Sequence, residues 1–303
     1  MKANVKEYLV YYIYVFFKFL FTFLPKALVK QILILCAKLA FRFNKEHKHI
    51  AKVNLDLAFE NTKSDDEKNS IIYESYKSLL FNMFEFVENQ VLSKEEILLK
   101  ANIINASYVE DAIKKGKKII FFTAHYGGWE IALPHTALKF GTLAVVNRKM
   151  NNPLIQDMYK KARNRNNIIM LDKKTAAKGM LKALKQNNHV AVVIDQHIKV
   201  GEEIEFFGKK VMATDSTSRL ALKFDAVLVP LFCEMNDFRD YTIKIEKPID
   251  VATYEFKTDN KIKELTQIQN NIIENQIKHK PEQWFWQHKR FKHLYNKLYK
   301  VNT

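Results

Sequence analysis

The segment FFTAHYGGWE, residues 121 to 130, places a histidine at the end of an apolar run and an acid five positions later. On a regular helix that spacing leaves the two side chains about 140° apart. His125 and Glu130 can meet only if the chain turns between them. Gly127 and Gly128, two of only seven glycines, permit such a turn because they tolerate backbone angles closed to other residues. A carboxylate bonded to one imidazole nitrogen fixes the tautomer and makes the other nitrogen a better base. The pair would then deprotonate a hydroxyl, and the amides of Gly127 and Gly128 at the start of a helix would face a developing oxyanion. A strand-to-helix turn that merely contains a histidine fits the bare spacing as well.

No serine or cysteine stands beside His125 as a nucleophile, and His135, ten residues on, lacks metal-ligand spacing with it. Direct attack by a substrate hydroxyl is therefore favoured over a covalent acyl-enzyme, and no metal or cofactor is expected. Cys36 and Cys233 lie far apart in apolar surroundings, which argues for buried free thiols in a reducing compartment.

The elements that position these groups follow from rhythm. From about residue 45 to 113 the apolar spacing is helical, with Ser64 or Asp65 as the cap of a helix beginning near Ile71. From Lys117 short apolar runs alternate with helical ones: KKIIFFTA, TLAVVNR, IIML, HVAVVID, AVLVPLFCEM and YTIKIEKPI, with helices over 129–140, 153–165 and about 256–279. This predicts an α/β fold with a mostly parallel central sheet flanked by helices. His125 closes a strand, and ligands of open α/β sheets bind beyond the carboxyl ends of the strands. Asp195 stands at another strand end, either as a site residue or as a turn cap, and His197 reads as a satisfied polar residue.

Residues 8 to 24 are almost wholly apolar or aromatic, interrupted by Lys18 and ended by Pro25. As a helix they would reach about 25 Å, and they lack a convincing cleavage site, so a retained membrane anchor is expected. Lys26, Lys30, Lys38 and Arg42 then recur at multiples of four around an apolar face, an amphipathic basic helix suited to an anionic leaflet and a cytoplasmic body. The division expected is residues 1–44 for the anchor and amphipathic helix, and 45–303 for one catalytic domain. The charge of +16 calls for an anionic partner. Nucleic acid is disfavoured for want of a binding motif.

His125-Tyr126-Gly127-Gly128-Trp129-Glu130 resembles the HX4E motif of glycerolipid and lipid A acyltransferases. It is closest to His-Phe-Gly-Asn-Trp-Glu of the late acyltransferases of lipid A biosynthesis, the lauroyl or myristoyl type. Further blocks follow in family order: VNRKMNNPLIQ with Arg148, ARNRNNIIMLDKK with Arg163 and Arg165, IDQH with Asp195 and His197, FFGKKVMATDSTSRLA, and PEQWFWQHKRFK. Gly128 departs from the usual asparagine, and VNRK lacks the proline that normally follows the arginine.

The resemblance implies a glycerolipid acyltransferase-like fold and transfer of a fatty acyl chain from acyl carrier protein to a hydroxyl of a lipid A precursor, at the cytoplasmic face of a bacterial inner membrane. It implies His125 as general base, Glu130 as its orienting partner, and Arg148, Arg163, Arg165 and Asp195 as substrate-binding groups, with membrane lipid as a further partner. A lysophospholipid or glycerol-phosphate acceptor is the alternative. Trp284 and Trp286 beside Lys289 and Arg290 suit either a lipid interface or a packed C-terminal segment.

Overall fold

The computed structural model describes residues 4–60 and 62–300. Four helices open the chain: α1 (Val5–Phe23), α2 (Lys26–Phe43), α3 (Lys45–Phe59) and α4 (Asp65–Glu88). A short α5 (Lys94–Leu99), β1 (Ala101–Ile104) and α6 (Ser107–Lys114) follow. The alternating part runs β2 (Ile119–Thr123), α7 (Trp129–Phe140), β3 (Leu143–Asn147), α8 (Pro153–Arg165), β4 (Ile168–Asp172), α9 (Ala176–Lys185) and β5 (His189–Val193). A hairpin of β6 (Glu202–Phe206) and β7 (Lys209–Ala213) leads to α10 (Ser216–Phe224), then β8 (Val227–Asp237), β9 (Asp240–Ile245), β10 (Ile249–Asp250), α11 (Lys261–His279) and α12 (Lys292–Tyr295).

The main sheet has the order β1-β9-β8-β2-β5-β3-β4, with β10 paired to β8. The run from β8 to β4 is parallel, and β9 and β1 run against it. This is the α/β architecture with a mostly parallel sheet. β2 shows why its sequence is continuously apolar: Ile120 and Phe122 face one packed layer, whereas Ile119 and Phe121 face the other. Each such side chain contributes about 1.5–3 kcal/mol by leaving water.

Two strand regions depart from expectation. β1 lies inside the stretch expected to be wholly helical, and it pairs with a distant strand, β9, rather than with a sequence neighbour. The β6–β7 hairpin turns through Phe207 and Gly208, both at positive φ, the two-residue turn whose twist matches paired strands.

The N-terminus corrects a second expectation. Among the described residues no helix is long and apolar enough to cross a membrane, so a spanning anchor is not formed there. The physical reason is polarity within α1. Tyr14 accepts a hydrogen bond from Gln90 at 2.7 Å, the Lys18 ammonium lies 3.5 Å from the Gln90 side-chain oxygen, and the Glu7 carbonyl accepts from Asn152 at 2.8 Å. These bonds tie one side of α1 to α4's end and to the start of α8. α2 docks through Val29 and Leu33 onto Phe81 and Phe84 of α4. Ser64, one of the two caps expected, caps α4 with a reciprocal bond from Glu67, but the helix begins at Asp65 and not near Ile71. Cys233 is buried, but Cys36 is exposed on α2, contrary to its apolar neighbours.

Candidate active site

β2 and β5 are parallel neighbours, with Thr123 opposite Val193. The ladder continues one step, from the Ile194 amide to the Thr123 carbonyl at 3.0 Å. One residue further on, each strand delivers a side chain to the carboxyl edge: His125 from β2 and Asp195 from β5. The Asp195 carboxylate accepts from the His125 Nδ1 at 2.9 Å and from the His125 amide at 2.9 Å, and its Oδ2 also accepts from the Trp284 indole at 2.8 Å.

Burial alone would raise the Asp195 pKa, but His125 and the indole donor outweigh it and hold the carboxyl down to about 2. Burial pulls His125 the other way, yet Asp195, with Glu130 adding its field, raises the imidazole above its ordinary value. A carboxylate on Nδ1 places the proton there and leaves the Nε2 lone pair outward. Among the described residues Nε2 has no hydrogen-bond partner, and the side chain is 25% exposed.

The turn after His125 is held on both sides. Gly127 donates to the Gln283 carbonyl at 2.9 Å, Gly128 to the Cys233 carbonyl at 2.8 Å, and Phe285 to the His125 carbonyl at 3.0 Å. Gly127 has φ +52, and a Cβ there would meet the Cys233 oxygen at 1.9 Å, so glycine is required. A Cβ on Gly128 would meet the Tyr241 ring at 2.5 Å. Both glycine amides are thus already spent and are not available as oxyanion donors, which corrects that expectation. The Trp129 amide, at the first position of α7, has no partner among the described residues.

Glu130 does not take the place expected for it beside the imidazole. Its carboxylate accepts from Arg163 at 2.5 Å, and Arg163 also donates to the Tyr159 hydroxyl at 2.8 Å. The turn brings Glu130 close enough for its charge to act on His125, but the hydrogen-bonding partner of the imidazole is Asp195.

The family model for bacterial lipid A biosynthesis acyltransferases matches residues 2–293. The chain belongs to that family. It is an acyltransferase. Curated relatives agree: a lipid A biosynthesis lauroyltransferase of Escherichia coli K12 is 26% identical over 84% of this chain and 82% of its own length. A lipid A biosynthesis acyltransferase of Haemophilus influenzae is 26% identical over 80% and 76%, and a lipid A biosynthesis palmitoleoyltransferase of Escherichia coli K12 is 24% identical over 82% and 80%.

In this acyltransferase the three arginines part company. Arg163 is buried in its ion pair with Glu130. Arg165 donates to the carbonyls of Gln90 and Leu92 at 3.2 and 3.0 Å, and it lines a groove of about 440 Å³ between α1 and α8 with Tyr11 and Met158. Arg148 is exposed beyond β3, where it lines a cleft of about 260 Å³ with Lys149 and Lys160. Trp284, Trp286 and Arg290 are buried, so the C-terminal segment is packed core and not a lipid-facing patch. His197 donates its amide to the His288 ring at 2.9 Å, and the ring and amide bonds of His125 go to Asp195 instead.

The sequence had put Asp195 at a strand end without linking it to His125. The signal was there, since TAH and VID end two apolar runs in the same way, but pairing them requires knowing that β2 and β5 are neighbours.

Proposed function

We propose that the protein transfers a fatty acyl chain from the thioester of acyl carrier protein to a hydroxyl of a lipid A precursor, with His125 as general base and Asp195 as its orienting partner. The acceptor hydroxyl gives its proton to Nε2 as its oxygen attacks the thioester carbonyl. The tetrahedral intermediate carries an oxyanion, for which the Trp129 amide is the free donor at the helix start. Collapse breaks the carbon–sulfur bond, and the departing thiolate takes the proton from the imidazolium. Glu130, fixed by Arg163, supports the positive charge that His125 gains in this step.

The observation that carries the proposal is the open Nε2 on an imidazole whose other nitrogen is held by a buried carboxylate. Charge supports an acidic donor and a phosphorylated acceptor: eleven lysines and arginines lie between Arg148 and Lys185 against two acids, Asp157 and Asp172. Arg148 with Lys149 and Lys160 would receive phosphate. The exposed aromatic side of α1 would lie in the interface of the cytoplasmic leaflet without spanning it.

His125→Ala is expected to abolish transfer while the protein stays folded. Asp195→Asn should lower kcat by about 10²–10⁴ by losing control of the tautomer. It should also move the rising limb of kcat/KM to lower pH, because a base that titrates from cation to neutral loses its raised pKa when the anion is removed. Full activity of His125→Ala with acyl carrier protein donor overturns the assignment. The mass spectrum of lipid A from cells lacking the protein should show the loss of one acyl chain, and loss of a phospholipid product instead overturns the acceptor.

A further inference from the structure

We infer that Asn82 of α4 is a positioning residue for the transfer reaction: its carboxamide clamps the turn between His125 and Glu130 from outside. The inference rests on the proposed role of His125. α7 begins without a cap of its own, because Gly128 at the N-cap has no side chain and forms no side-chain cap bond. The first amides of a helix require an acceptor from elsewhere. The Asn82 carboxamide oxygen accepts from the Glu130 amide at 3.2 Å, and its nitrogen donates to the Gly127 carbonyl at 2.6 Å and to the Ser78 carbonyl at 2.9 Å. One side chain therefore holds both ends of the Gly127–Glu130 step, and it is 1% exposed, so water does not compete.

Two neighbours make the clamp specific. The Tyr241 ring fills the space where a residue 128 side chain would stand, so a cap cannot come from within the turn. Asn89, two helical turns further along α4, donates to the Glu130 carbonyl at 3.3 Å. The Glu130 backbone is thus gripped from α4 through both its amide and its carbonyl. This grip fixes the placement of the Glu130–Arg163 pair relative to the imidazole.

Asn82→Leu removes the hydrogen bonds at similar size, and Asn82→Ala removes them without placing bulk or charge in the buried position. Misplacement of reacting groups by about 1 Å costs up to about 100-fold. Asn82→Leu should accordingly lower kcat per folded protein by about 10–100-fold with acceptor KM within about twofold. Its kcat/KM limb should move to lower pH as Glu130 drifts from His125. Asn82→Ala, which adds neither charge nor bulk and is therefore expected to fold where Asn82→Leu does not, should lower kcat into the same range. Wild-type kcat in the folded fraction of either variant overturns the clamp, whatever the melting temperature. His125→Ala separates the two levels: if it is inactive while Asn82→Leu turns over normally, only the clamp fails; if it is active, the base assignment fails first.

Discussion

α1 and α4 invert the usual relation between polarity and burial. α1 is rich in aromatic and aliphatic side chains, yet none of its residues is buried, and Phe16, Phe19 and Phe23 are 60%, 61% and 70% exposed. α4 carries Ser75, Asn82, Glu85 and Glu88 at helical spacing, and all four are buried. The difference lies in what each helix serves. Ser75 donates to the Trp284 carbonyl at 2.8 Å, Asn82 holds the Gly127–Glu130 turn, and Glu85 accepts from the Tyr241 hydroxyl at 2.8 Å, so α4 is the spine to which the candidate site is fastened. α1 meets the protein through Tyr14, Lys18 and Phe21 and turns the rest of its aromatic side outward, which fits a helix that lies in a lipid interface.

The buried charges of α4 give the largest test of this contrast. Lys100 pairs with Glu85 and with Glu88, which also meets Arg239 at 2.9 Å and Lys26 at 3.0 Å. Burial raises the Glu85 carboxyl above its ordinary value, Lys100 opposing it, whereas for Glu88 the cations outweigh burial and lower the carboxyl. Lys100→Met should destabilise the fold by about 3–5 kcal/mol at neutral pH, because it strands buried carboxylate charge. The pH dependence follows from Glu85. A carboxyl with a raised folded pKa binds more protons when folded, so its contribution to stability falls as pH rises above the unfolded value. Removing Lys100 extends that fall, and the deficit should be larger at pH 8 than at pH 5 in thermal unfolding. Equal stability of variant and wild type would show that the stripe is not a fastening.

The opposite result is expected of α1. Replacing Phe16, Phe19 and Phe23 with serine should leave thermal unfolding nearly unchanged, since these side chains are already exposed. Binding to vesicles containing anionic lipid should weaken by about 10–100-fold, the equivalent of partial burial of three phenylalanines. Unchanged partition in a co-sedimentation assay would remove α1 from the interface.

The two helices also mark where the sequence was legible. Apolar runs identified the parallel strands because both sheet faces are covered, and the candidate histidine followed from its place after β2. Strand order left no local trace, so the link from His125 to Asp195 was hidden, as was the pairing of β1 with β9. The apolar positions of α4 carry helical spacing in the sequence, but its buried polar stripe is indistinguishable there from a solvated face. Trp284 was ambiguous for the same reason: an indole in a basic segment suits an interface or a core, and only its bond to Asp195 decides.

The smallest expected effect isolates the outer end of α4 from its working stripe. Ser64 accepts from the Glu67 amide at 3.2 Å, while the Glu67 carboxylate accepts from the Ser64 amide at 2.7 Å, both in exposed positions. Ser64→Ala removes one of these two bonds and leaves an orphan amide open to water, a loss of about 1 kcal/mol. The cap lies at the start of a 24-residue helix, and Asn82 stands eighteen positions beyond it, so fraying of the first turn should not reach the clamp. Thermal unfolding should therefore shift slightly downward with kcat, KM and the pH limb unchanged. A fall in kcat on removing this cap would mean that α4 holds the site through its overall rigidity, and the distinction between stripe and helix would be lost.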